Sequence, residues 1–573
     1  MVDANDVETT KGQKKRKRNN NPLSLARGKQ NNHENVWFRR SKAGYSLFVQ
    51  YYMNQPIGTV SSAEGIKAGD ANTSKQEGSK MVPKTATGMQ PKSGGNSRAA
   101  RRRNKKKKGK MQSPSSETLD ETPLAVTPAD SSTTEVSSPP SLLESAYAKF
   151  EMLDDSPCHR NNVEFQSFLK AFSRKLPLSF RMRQLESVSE RRQVDIEVAE
   201  EVLSEFSELV EPVPFGNTTL YRSKNRPGEV LCKENLNRIS PDLKEFLVDN
   251  SQNGVLARQE IGSMLPVIAL KDVGAIREGR KVLDVCASPG SKTLQALEIV
   301  GQTGRVVAND VSENRLKTLR QALGRSGVPS SLLNRIHFTC QDGARFAPPV
   351  TKSRSSGEKS KLQFHAVICD VPCSGDGTCR KDKHILPMWK PNCGNDLHDL
   401  QLRILIRALQ VVEVGGVVCY STCTLNPIED EAVVAAALSK IGAPRDSKEG
   451  SEKKGSSQSV ELIDWPSLPG DLMRRQGLSS WKVAEFRADD QNDSSKGDID
   501  DSEDIPTIIW HDSYASATSE QPTCAISRTM WPPSHESLKD LHLEKCIRLW
   551  PNDCDTGGFF LALIKKNRDF TLK

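Results

Sequence analysis

The segment Lys281-Val-Leu-Asp-Val-Cys-Ala-Ser-Pro-Gly-Ser-Lys292 combines three structural signals in one short part of this 573-residue chain. Residues 281–285 form a largely apolar run that predicts a buried strand, and residues 286–292 form a loop of small residues. Residues 293–300 then continue as a predicted helix. A strand, a tight loop and a helix N-terminus predict a nucleotide-type ligand site, because small residues permit close approach and the first helical N–H groups point outward.

The chain on both sides of this segment predicts an α/β fold. Residues 255–440 alternate strand-like and helix-like stretches, which is the pattern of βαβ units around a parallel sheet. Residues 557–564 predict a final core strand. We therefore expect a Rossmann-like domain over residues 255–573. Polar stretches predict surface insertions in this domain near residues 351–361, 445–459 and 488–504.

Two acidic residues at the ends of the following strands extend the predicted ligand site. Asp310 ends the next strand, twenty residues after Gly290, and this spacing suits hydrogen bonds to ribose hydroxyls. Asp342 follows a third strand, where a carboxylate can accept a hydrogen bond from an adenine amine. Either acid could instead cap a helix. The two acids follow successive strands, and the loop before them lacks both the Gly-x-Gly-x-x-Gly and the Walker pattern. Together these features predict a site for S-adenosylmethionine.

Two cysteines, Cys373 and Cys423, follow two further apolar runs that predict buried strands. Side chains just past the carboxyl ends of strands in an open sheet face the ligand crevice. Cys369 and Cys419, inside the runs, are predicted to be packing residues, because cysteine is among the most buried residue types. The thiols of Cys373 and Cys423, in the loops after the strands, instead predict covalent catalysis. In such a reaction one thiol attacks the substrate and the other assists release of the product.

Covalent attack by a thiol suits methylation of cytosine at carbon 5. That carbon is a poor nucleophile, and addition of a thiolate to carbon 6 makes it enamine-like and able to accept a methyl group. The reaction then proceeds in two easier steps. Residues 426–431, after Cys423, predict a helix start, and a helix N-terminus would favour the thiolate. The base must leave its stack to expose carbon 6, which single-stranded RNA permits most readily.

The composition limits the classes of partner and cofactor. The chain carries a formal net charge of +9 with 27% charged residues, a balance that suits an acidic partner. It contains no run of 18 or more apolar residues, so we expect no membrane span. The thirteen cysteines include no Cys-x-x-Cys pair, so we expect reduced thiols and no structural zinc.

The N-terminal part of the chain differs sharply from the rest. Residues 1–140 predict a disordered basic tail, because their low apolar content cannot offset the entropy of ordering. Basic clusters at residues 14–18 and 98–110 indicate a nuclear or nucleolar protein, with the cytoplasm as the alternative. An aromatic island at residues 36–58 has no assignment beyond a short docking helix. Residues 141–254 are amphipathic and predict a mostly helical RNA-binding region.

Three strings resemble the signature motifs of the Sun-domain RNA cytosine-5 methyltransferases, and within that family they are most similar to the eukaryotic multisite tRNA enzymes. The strings are Cys286-Ala-Ser-Pro-Gly-Ser-Lys292, Asp370-Val-Pro-Cys-Ser-Gly-Asp-Gly-Thr378 and Ser421-Thr-Cys-Thr-Leu-Asn-Pro427. Several long motifs in the right order are more specific than one short pattern. The resemblance covers roughly residues 140–570. Animal tRNA enzymes of the family carry a further C-terminal domain. We therefore expect that part of substrate docking is either missing here or supplied by the basic tail.

The resemblance implies a Rossmann-like core, S-adenosylmethionine as cofactor and RNA, most closely tRNA, as substrate. It implies that Cys423 is the nucleophile on carbon 6, that Cys373 assists breakdown of the adduct, and that Asp370 lies between cofactor and base. Lys292 contacts RNA phosphate or cofactor, or is solvated. The residues implied to line the cofactor pocket are Cys286, Ala287, Ser288, Pro289, Gly290, Ser291, Lys292, Asp310, Asp342 and Asp370.

Three other interpretations remain open at this stage. DNA cytosine-5 methylation would make Cys373 the attacker, because those enzymes carry the nucleophile in a Pro-Cys string, whereas the Thr422-Cys423 string favours the RNA family. Ribosomal RNA is the alternative substrate within that family. A non-catalytic RNA-binding ribosome-assembly factor on the same fold would have lost catalytic residues, yet both thiols and all candidate acids are present.

Overall fold

The computed structural model describes residues 34–56, 60–61, 163–183, 190–215, 218–224, 229–352, 359–442, 458–465, 472–487, 508–520 and 522–572. Most of the predicted tail, including both basic clusters, lies outside these residues. The predicted insertion at 488–504 and residues 445–457 of the preceding one also lie outside them. Among the described helices, none combines the length and the apolar character that crossing a bilayer would require.

The helices of the described residues are numbered in chain order. They are α1 (Glu34–Met53), α2 (Val163–Ser173), α3 (Glu190–Glu205), α4 (Leu236–Ile239), α5 (Pro241–Gln252), α6 (Ile261–Asp272), α7 (Ser291–Val300), α8 (Glu313–Gly324), α9 (Ser330–Leu333), α10 (Asn392–Val411), α11 (Glu431–Ile441), α12 (Tyr514–Ser519), α13 (His535–Leu541) and α14 (Pro551–Cys554). Short 3-10 helices lie at Gly343–Arg345, Asp376–Thr378, Leu386–Met388, Arg528–Met530 and Leu543–Lys545.

The strands of the described residues are numbered in the same way. They are β1 (Val60–Ser61), β2 (Ser179–Met182), β3 (Val210–Phe215), β4 (Thr218–Ser223), β5 (Leu256–Arg258), β6 (Lys281–Asp284), β7 (Arg305–Asp310), β8 (Ile336–Cys340), β9 (Val350–Lys352), β10 (Lys359–Lys361), β11 (Phe364–Asp370), β12 (Val412–Thr422), β13 (Val460–Leu462), β14 (Arg474–Gln476), β15 (Val483–Phe486), β16 (Ile508–His511), β17 (Ile547–Leu549) and β18 (Phe559–Lys566). The predicted insertion at 351–361 contains β10 and most of β9, which pair antiparallel, and its residues 353–358 lie outside the described residues.

The central sheet follows the order β1-β14-β17-β18-β12-β11-β6-β7-β8, and β13 also pairs with β18. From β12 to β8 the strands are parallel, whereas β18 runs antiparallel between β12 and β17. One hydrophobic core joins this sheet to α10 and α11, and another joins it to α6, α7 and α8. The predicted α/β, Rossmann-like fold is therefore confirmed. The strand order reverses between β6 and β11, where such sheets form their ligand crevice.

A smaller antiparallel sheet, in the order β3-β4-β2-β5, precedes the core. Helices α2, α3 and α5 fall in the same region, in keeping with the predicted helical content, but the sheet was not predicted. Its strands are only three to six residues long, too short to produce a clear alternating pattern. Because β5 belongs to this sheet, the Rossmann-like core begins after Arg258 rather than at residue 255.

Two arginines of the predicted RNA-binding region are buried instead of facing a ligand. Arg181 Nη1 lies 2.6 Å from Glu298 Oε2, and Arg183 Nε lies 3.4 Å from Glu298 Oε1. Both arginine side chains are almost fully enclosed. Buried charges occur where they are paired, so these two cations join the small sheet to α7 of the core and are not available to bind phosphate.

The predicted disordered tail contains an ordered helix, α1, which corresponds to the unassigned aromatic island. Its second half carries Leu47, Phe48, Tyr51 and Tyr52, all of them buried. These side chains belong to a hydrophobic cluster with Phe168 of α2 and residues of the Rossmann-like core. The general prediction of a disordered tail is therefore wrong for this segment, whereas the short docking helix suggested for it is present. Packing against distant residues supplies the burial that the tail alone lacks.

Candidate active site

The two predicted thiols meet at the carboxyl ends of β11 and β12. These strands are adjacent and parallel, with Asp370 opposite Ser421, so Cys373 and Cys423 emerge side by side. Their Sγ atoms lie 3.3 Å apart, and both residues are partly buried. Cys369 and Cys419, in the strands themselves, are fully buried as packing residues. The sheet therefore separates structural cysteines from the pair at the crevice.

The two sulfur atoms of the pair are not equivalent. The pKa of Cys373 is raised well above its ordinary value, first by its hydrogen bond with Cys423 and then by burial. The raised pKa favours the protonated form of Cys373, whereas either sulfur can be the donor in the contact between the two residues. Since only the thiolate form of a cysteine is an effective nucleophile, Cys373 is poorly suited to attack.

The loop after Cys423 differs from the predicted helix start. Residues 427–430 form a turn, and α11 begins only at Glu431, the last residue of the predicted segment. Glu429, Asp430 and Glu431, which would be exposed in an ordinary first helical turn, are fully buried. The helix N-terminus is thus farther along the chain from Cys423 than expected, and buried acids organise the loop instead.

Glu429 links the two thiol loops, which we define as residues 371–378 after β11 (the Cys373 loop) and residues 423–430 after β12 (the Cys423 loop). Its Oε1 accepts a hydrogen bond from Ser374 N at 2.8 Å, and its Oε2 accepts one from the Ser374 hydroxyl at 2.5 Å. Gln401 Nε2 also donates to Oε1, at 3.0 Å. Burial, reinforced by the Asp376 carboxylate, raises the pKa of Glu429 to about 7.

Asp376 makes a second link between the loops. It lies on the Cys373 loop, is 1% exposed, and accepts a hydrogen bond from the backbone N–H of Leu425 on the Cys423 loop at 2.9 Å. Trp389 Nε1 donates to the same carboxylate at 3.2 Å, and the Tyr52 hydroxyl of α1 donates to it as well. Burial raises the pKa of Asp376. None of these partners was predicted to belong to the site.

Close backbone contacts complete the connection between the loops. Gly377 N donates to Cys423 O at 3.0 Å, and Gly558 N donates to Gly377 O at 2.8 Å. A β-carbon placed on Gly377 would lie 2.3 Å from the carbonyl oxygen of Gly558. Only glycine fits this approach, which explains the Gly-Asp-Gly string of the motif in physical terms.

Arg548 supplies the positive charge that balances the buried acids. Its Nε lies 3.1 Å from Glu431 Oε1, its Nη2 lies 3.5 Å from Asp430 Oδ2, and Nη2 donates to Leu425 O at 2.8 Å. The guanidinium is fully buried. Arg548 lies in the middle of β17, more than 100 residues along the chain from the thiols, so no local pattern connects it with the site.

Lys292 and Asp370 form an ion pair in the crevice. Lys292 Nζ lies 2.9 Å from Asp370 Oδ2 and donates to the Ser263 hydroxyl at 2.9 Å. The Ser421 hydroxyl donates to Asp370 Oδ1 at 2.7 Å. Burial opposes the charge of Lys292, but the Asp370 carboxylate outweighs this effect and raises the pKa of Lys292. The lysine is therefore a paired cation with a side chain that is 11% exposed, not a solvated one.

The small-residue loop 286–292 joins β6 to α7 as predicted. Gly290 has a φ of +114°, and a β-carbon there would lie 2.3 Å from Leu319 Cδ1, so the position requires glycine. No side chain caps the first turn of α7, which leaves its N–H groups available to a ligand. Asp284, at the end of β6, was not among the predicted site residues. Thr293 Oγ1 donates a hydrogen bond to its carboxylate at 2.6 Å, and burial raises the pKa of Asp284 to about 7.

The two acids predicted to bind the nucleoside lie at the expected strand ends but have partners of their own. Asp310 is almost fully buried, and Arg315 Nε lies 3.0 Å from both of its carboxylate oxygens. Arg315 therefore occupies the position expected for ribose hydroxyls. Asp342 is exposed and accepts a hydrogen bond from Ala344 N at 2.9 Å. It therefore caps the following 3-10 helix, which was the alternative to binding adenine. Val311 beside Asp310 is 69% exposed and offers an apolar surface that was not predicted.

These features fit S-adenosylmethionine. The free N–H groups of α7 suit its carboxylate, the partly exposed carboxylate of Asp370 at the end of β11 suits its cationic groups, and the exposed Val311 suits a flat base. The missing side chain of Gly290 makes room for Leu319 of α8, which lets the loop 286–292 pack against that helix. All cofactor residues predicted from the sequence except Asp342 are thus either in this loop or engaged in the polar network around it.

Known proteins share both the core and much of the remaining chain. A family model described as 16S rRNA methyltransferase RsmB/F matches residues 273–467. The multisite-specific tRNA:(cytosine-C(5))-methyltransferase trm4b of Schizosaccharomyces pombe is 32% identical over 452 residues, which are 74% of this chain and 58% of the relative. A tRNA (cytosine(34)-C(5))-methyltransferase of Drosophila melanogaster is 33% identical over 353 residues, which are 60% of this chain and 41% of that protein.

Bacterial relatives match a smaller share of the chain. Ribosomal RNA small subunit methyltransferase F of Serratia proteamaculans is 38% identical over 190 residues, 33% of this chain and 36% of the relative. The chain therefore spans between about a third and three fifths of the length of the relatives compared.

Proposed function

We propose that this chain, which belongs to the Sun-domain family of RNA methyltransferases, is an S-adenosylmethionine-dependent enzyme that forms 5-methylcytosine in tRNA. The observation that carries the proposal is the pair of unequal thiols, 3.3 Å apart, beside the Lys292–Asp370 ion pair. Such a pair suits a reaction that needs one attacking sulfur and one protonated sulfur. The choice of tRNA follows from the named activities of the eukaryotic relatives.

The first step is attack by Cys423. Its thiolate forms a bond to carbon 6 of the cytosine, and the electron pair of the carbon 5–carbon 6 double bond moves to carbon 5. Bound S-adenosylmethionine supplies the methyl group that carbon 5 then takes. Asp370, held by Lys292 and Ser421, lies between the loop 286–292 and the thiols and is suited to hydrogen-bond the edge of the base.

The second step releases the product. The proton on carbon 5 is lost to water, the carbon 5–carbon 6 double bond forms again, and the bond from carbon 6 to the Cys423 sulfur breaks. The Cys373 thiol, 3.3 Å from the leaving sulfur, is placed to donate a hydrogen bond that stabilises the developing thiolate, and its raised pKa favours the protonated form that this role requires. Loss of Cys373 should therefore slow release more than attack.

RNA is expected to approach between the small sheet and the core. A cavity of about 310 Å³ lies there, lined among others by Arg174, Arg222 and Thr556. Thr556 is two residues before Gly558, which bonds to Gly377 and through it to Cys423. Arg174 is about half exposed and lies 3.9 Å from Asp555, an acid of the same cavity, so a phosphate would compete with that carboxylate for the guanidinium. Affinity that depends on such contacts should fall with salt.

A direct test of the function is bisulfite sequencing of RNA from cells that lack the enzyme, after incubation with S-adenosylmethionine and the full chain. New 5-methylcytosines with the intact chain and with Cys393→Ala, but not with Cys423→Ala, would support the proposal. New 5-methylcytosines in tRNA would support tRNA as the substrate. New 5-methylcytosines in rRNA would instead favour rRNA methylation, the activity named for the bacterial relatives. An absence of new sites with the intact chain would favour the assembly-factor interpretation.

We further propose a nuclear location, on the basis of the basic clusters at residues 14–18 and 98–110. Neither cluster is among the described residues, so the proposal rests on the sequence alone. Imaging of a fluorescent fusion tests it: replacing both clusters with serine should move the protein to the cytoplasm. Retention in the nucleus would contradict the proposed role of the clusters.

A further inference from the structure

Two adjacent tyrosines of α1 reach the two thiol loops from a segment more than 300 residues away in sequence. Tyr51 and Tyr52 are 1% and 2% exposed, and both hydroxyls are hydrogen-bonded to the loops. A buried hydroxyl that donates to a distant polar group fixes the position of that group. The two tyrosines therefore connect the N-terminal segment to the catalytic sulfurs.

Tyr52 acts on the carboxylate that joins the loops. Its hydroxyl donates to Asp376 of the Cys373 loop, and the same carboxylate accepts from Leu425 N of the Cys423 loop at 2.9 Å. Leu425 is two residues after Cys423. Loss of the tyrosine hydroxyl would leave a buried carboxylate with one donor fewer, a change that a buried acid tolerates poorly.

Tyr51 acts on the Cys423 loop directly. Its hydroxyl donates to Asn426 Oδ1 at 2.7 Å, and Asn426 Nδ2 lies 3.3 Å from Glu429 Oε2. Glu429 in turn accepts from Ser374, the residue after Cys373. The chain of hydrogen bonds thus runs from α1 through one loop to the other.

The helix is held in place by contacts that do not involve these hydroxyls. The rings of Phe48, Tyr51 and Tyr52 surround Trp389 with centroid distances of 5.4, 5.3 and 5.8 Å. A β-carbon on Gly44 would lie 2.1 Å from Leu386 O, which shows how closely the helix approaches the core. Gln55 exchanges two hydrogen bonds with the backbone of Lys482. Removal of a hydroxyl alone should therefore leave the helix docked.

We infer that Tyr51 and Tyr52 are positioning residues, which hold the Cys373 and Cys423 loops so that the two sulfur atoms remain in contact at the crevice. The inference rests on the proposed function but concerns a segment outside the methyltransferase core. In this role the tyrosines do not touch the substrate. They control the rate of the covalent step through the geometry of the loops.

The test compares Tyr52→Phe and Tyr51→Phe with Tyr45→Phe, which removes a half-buried hydroxyl from the same helix, all in the full chain. We expect Tyr52→Phe to lower kcat about tenfold, the effect of losing one hydrogen bond to a charged group, with KM for S-adenosylmethionine unchanged. Tyr51→Phe should have a smaller effect of the same kind, and Tyr45→Phe none. Wild-type kcat in Tyr52→Phe would overturn the inference, as would an equal loss in Tyr45→Phe.

A second readout does not require methyl transfer. Mass spectrometry after brief treatment with iodoacetamide measures the alkylation of Cys423 relative to Cys373, across a range of pH. We expect strong preference for Cys423 in the wild type and a loss of at least about threefold in that preference in Tyr52→Phe, because the contact with Cys423 is the largest cause of the raised pKa of Cys373 and displaced loops would weaken that contact. An unchanged preference would overturn the inference even if the wild type proved inactive in methylation.

Discussion

The Sγ atoms of Cys373 and Cys423 lie 3.3 Å apart, although 50 residues separate them in the chain. Each sulfur follows one of two adjacent parallel strands, and the loops that carry them are joined by Glu429, Asp376 and a backbone contact of Gly377. This arrangement brings two thiols to the same point of the crevice, where one can attack a base and the other can assist release.

Substitution of the two thiols should have opposite effects on the covalent complex with RNA. Cys423→Ala should form no complex, because it lacks the attacking sulfur, whereas Cys373→Ala should accumulate complex because release is slowed. A denaturing gel of protein incubated with RNA and S-adenosylmethionine measures both. A complex that forms with Cys423→Ala and not with Cys373→Ala would reverse the assigned roles.

Asp370→Asn should lower activity by about 100-fold, the size of effect that follows loss of one fixed electrostatic contact in an active site. The change removes the ion pair with Lys292 while retaining the side-chain volume. Single-turnover methylation measures the rate, and Asp399→Asn, on the exposed face of α10, is the matched control. Equal rates for the two variants would show that the ion pair has no role in the reaction.

The pH dependence of stability should reflect Asp284. Burial raises the pKa of this carboxyl from 3.8 to about 7, so the folded state binds a proton more tightly than the unfolded state. The contribution of Asp284 to the free energy of unfolding should therefore fall as pH rises from about 4 to about 7, by at most about 4 kcal/mol.

Urea unfolding at pH 5 and pH 8 tests this sign. Asp284→Asn should reduce the difference in the free energy of unfolding between pH 5 and pH 8, because the amide does not titrate. The amide oxygen can still accept a hydrogen bond from Thr293. Asp242→Asn, which changes an exposed acid of α5, should leave the difference as it is in the wild type. A wider difference in Asp284→Asn would contradict the assignment.

Gly377→Ala should destabilise the protein by about 2 kcal/mol or more and reduce activity, because the added carbon meets the backbone of Gly558 rather than a side chain that can move. Thermal unfolding measures the change in stability, and single-turnover methylation of RNA measures the change in activity. Gly324→Ala, where an added β-carbon meets nothing within 4 Å, is the control and should be neutral or slightly stabilising. Similar melting temperatures for the two variants would contradict the close contact.

The sequence alone was sufficient to predict the Rossmann-like core and the location of its site. The apolar runs of β6, β7, β11 and β12 identify buried strands, and the parallel arrangement then brings residues 286–292, Asp370, Cys373 and Cys423 to one edge. These inferences succeeded because they depend on local patterns and on the regular geometry of parallel sheets.

Tertiary structure alone determined how that edge is organised. Arg181 and Arg183 are buried on Glu298 rather than exposed to RNA, Glu429 lies in the interior beside Ser374, and the tail supplies Tyr51 and Tyr52 to the thiol loops. A charged or polar residue appears in a sequence as a candidate for the surface. It can be buried only when a partner of suitable charge or hydrogen-bonding capacity lies beside it, and here those partners are distant in the chain and become neighbours only in the folded protein.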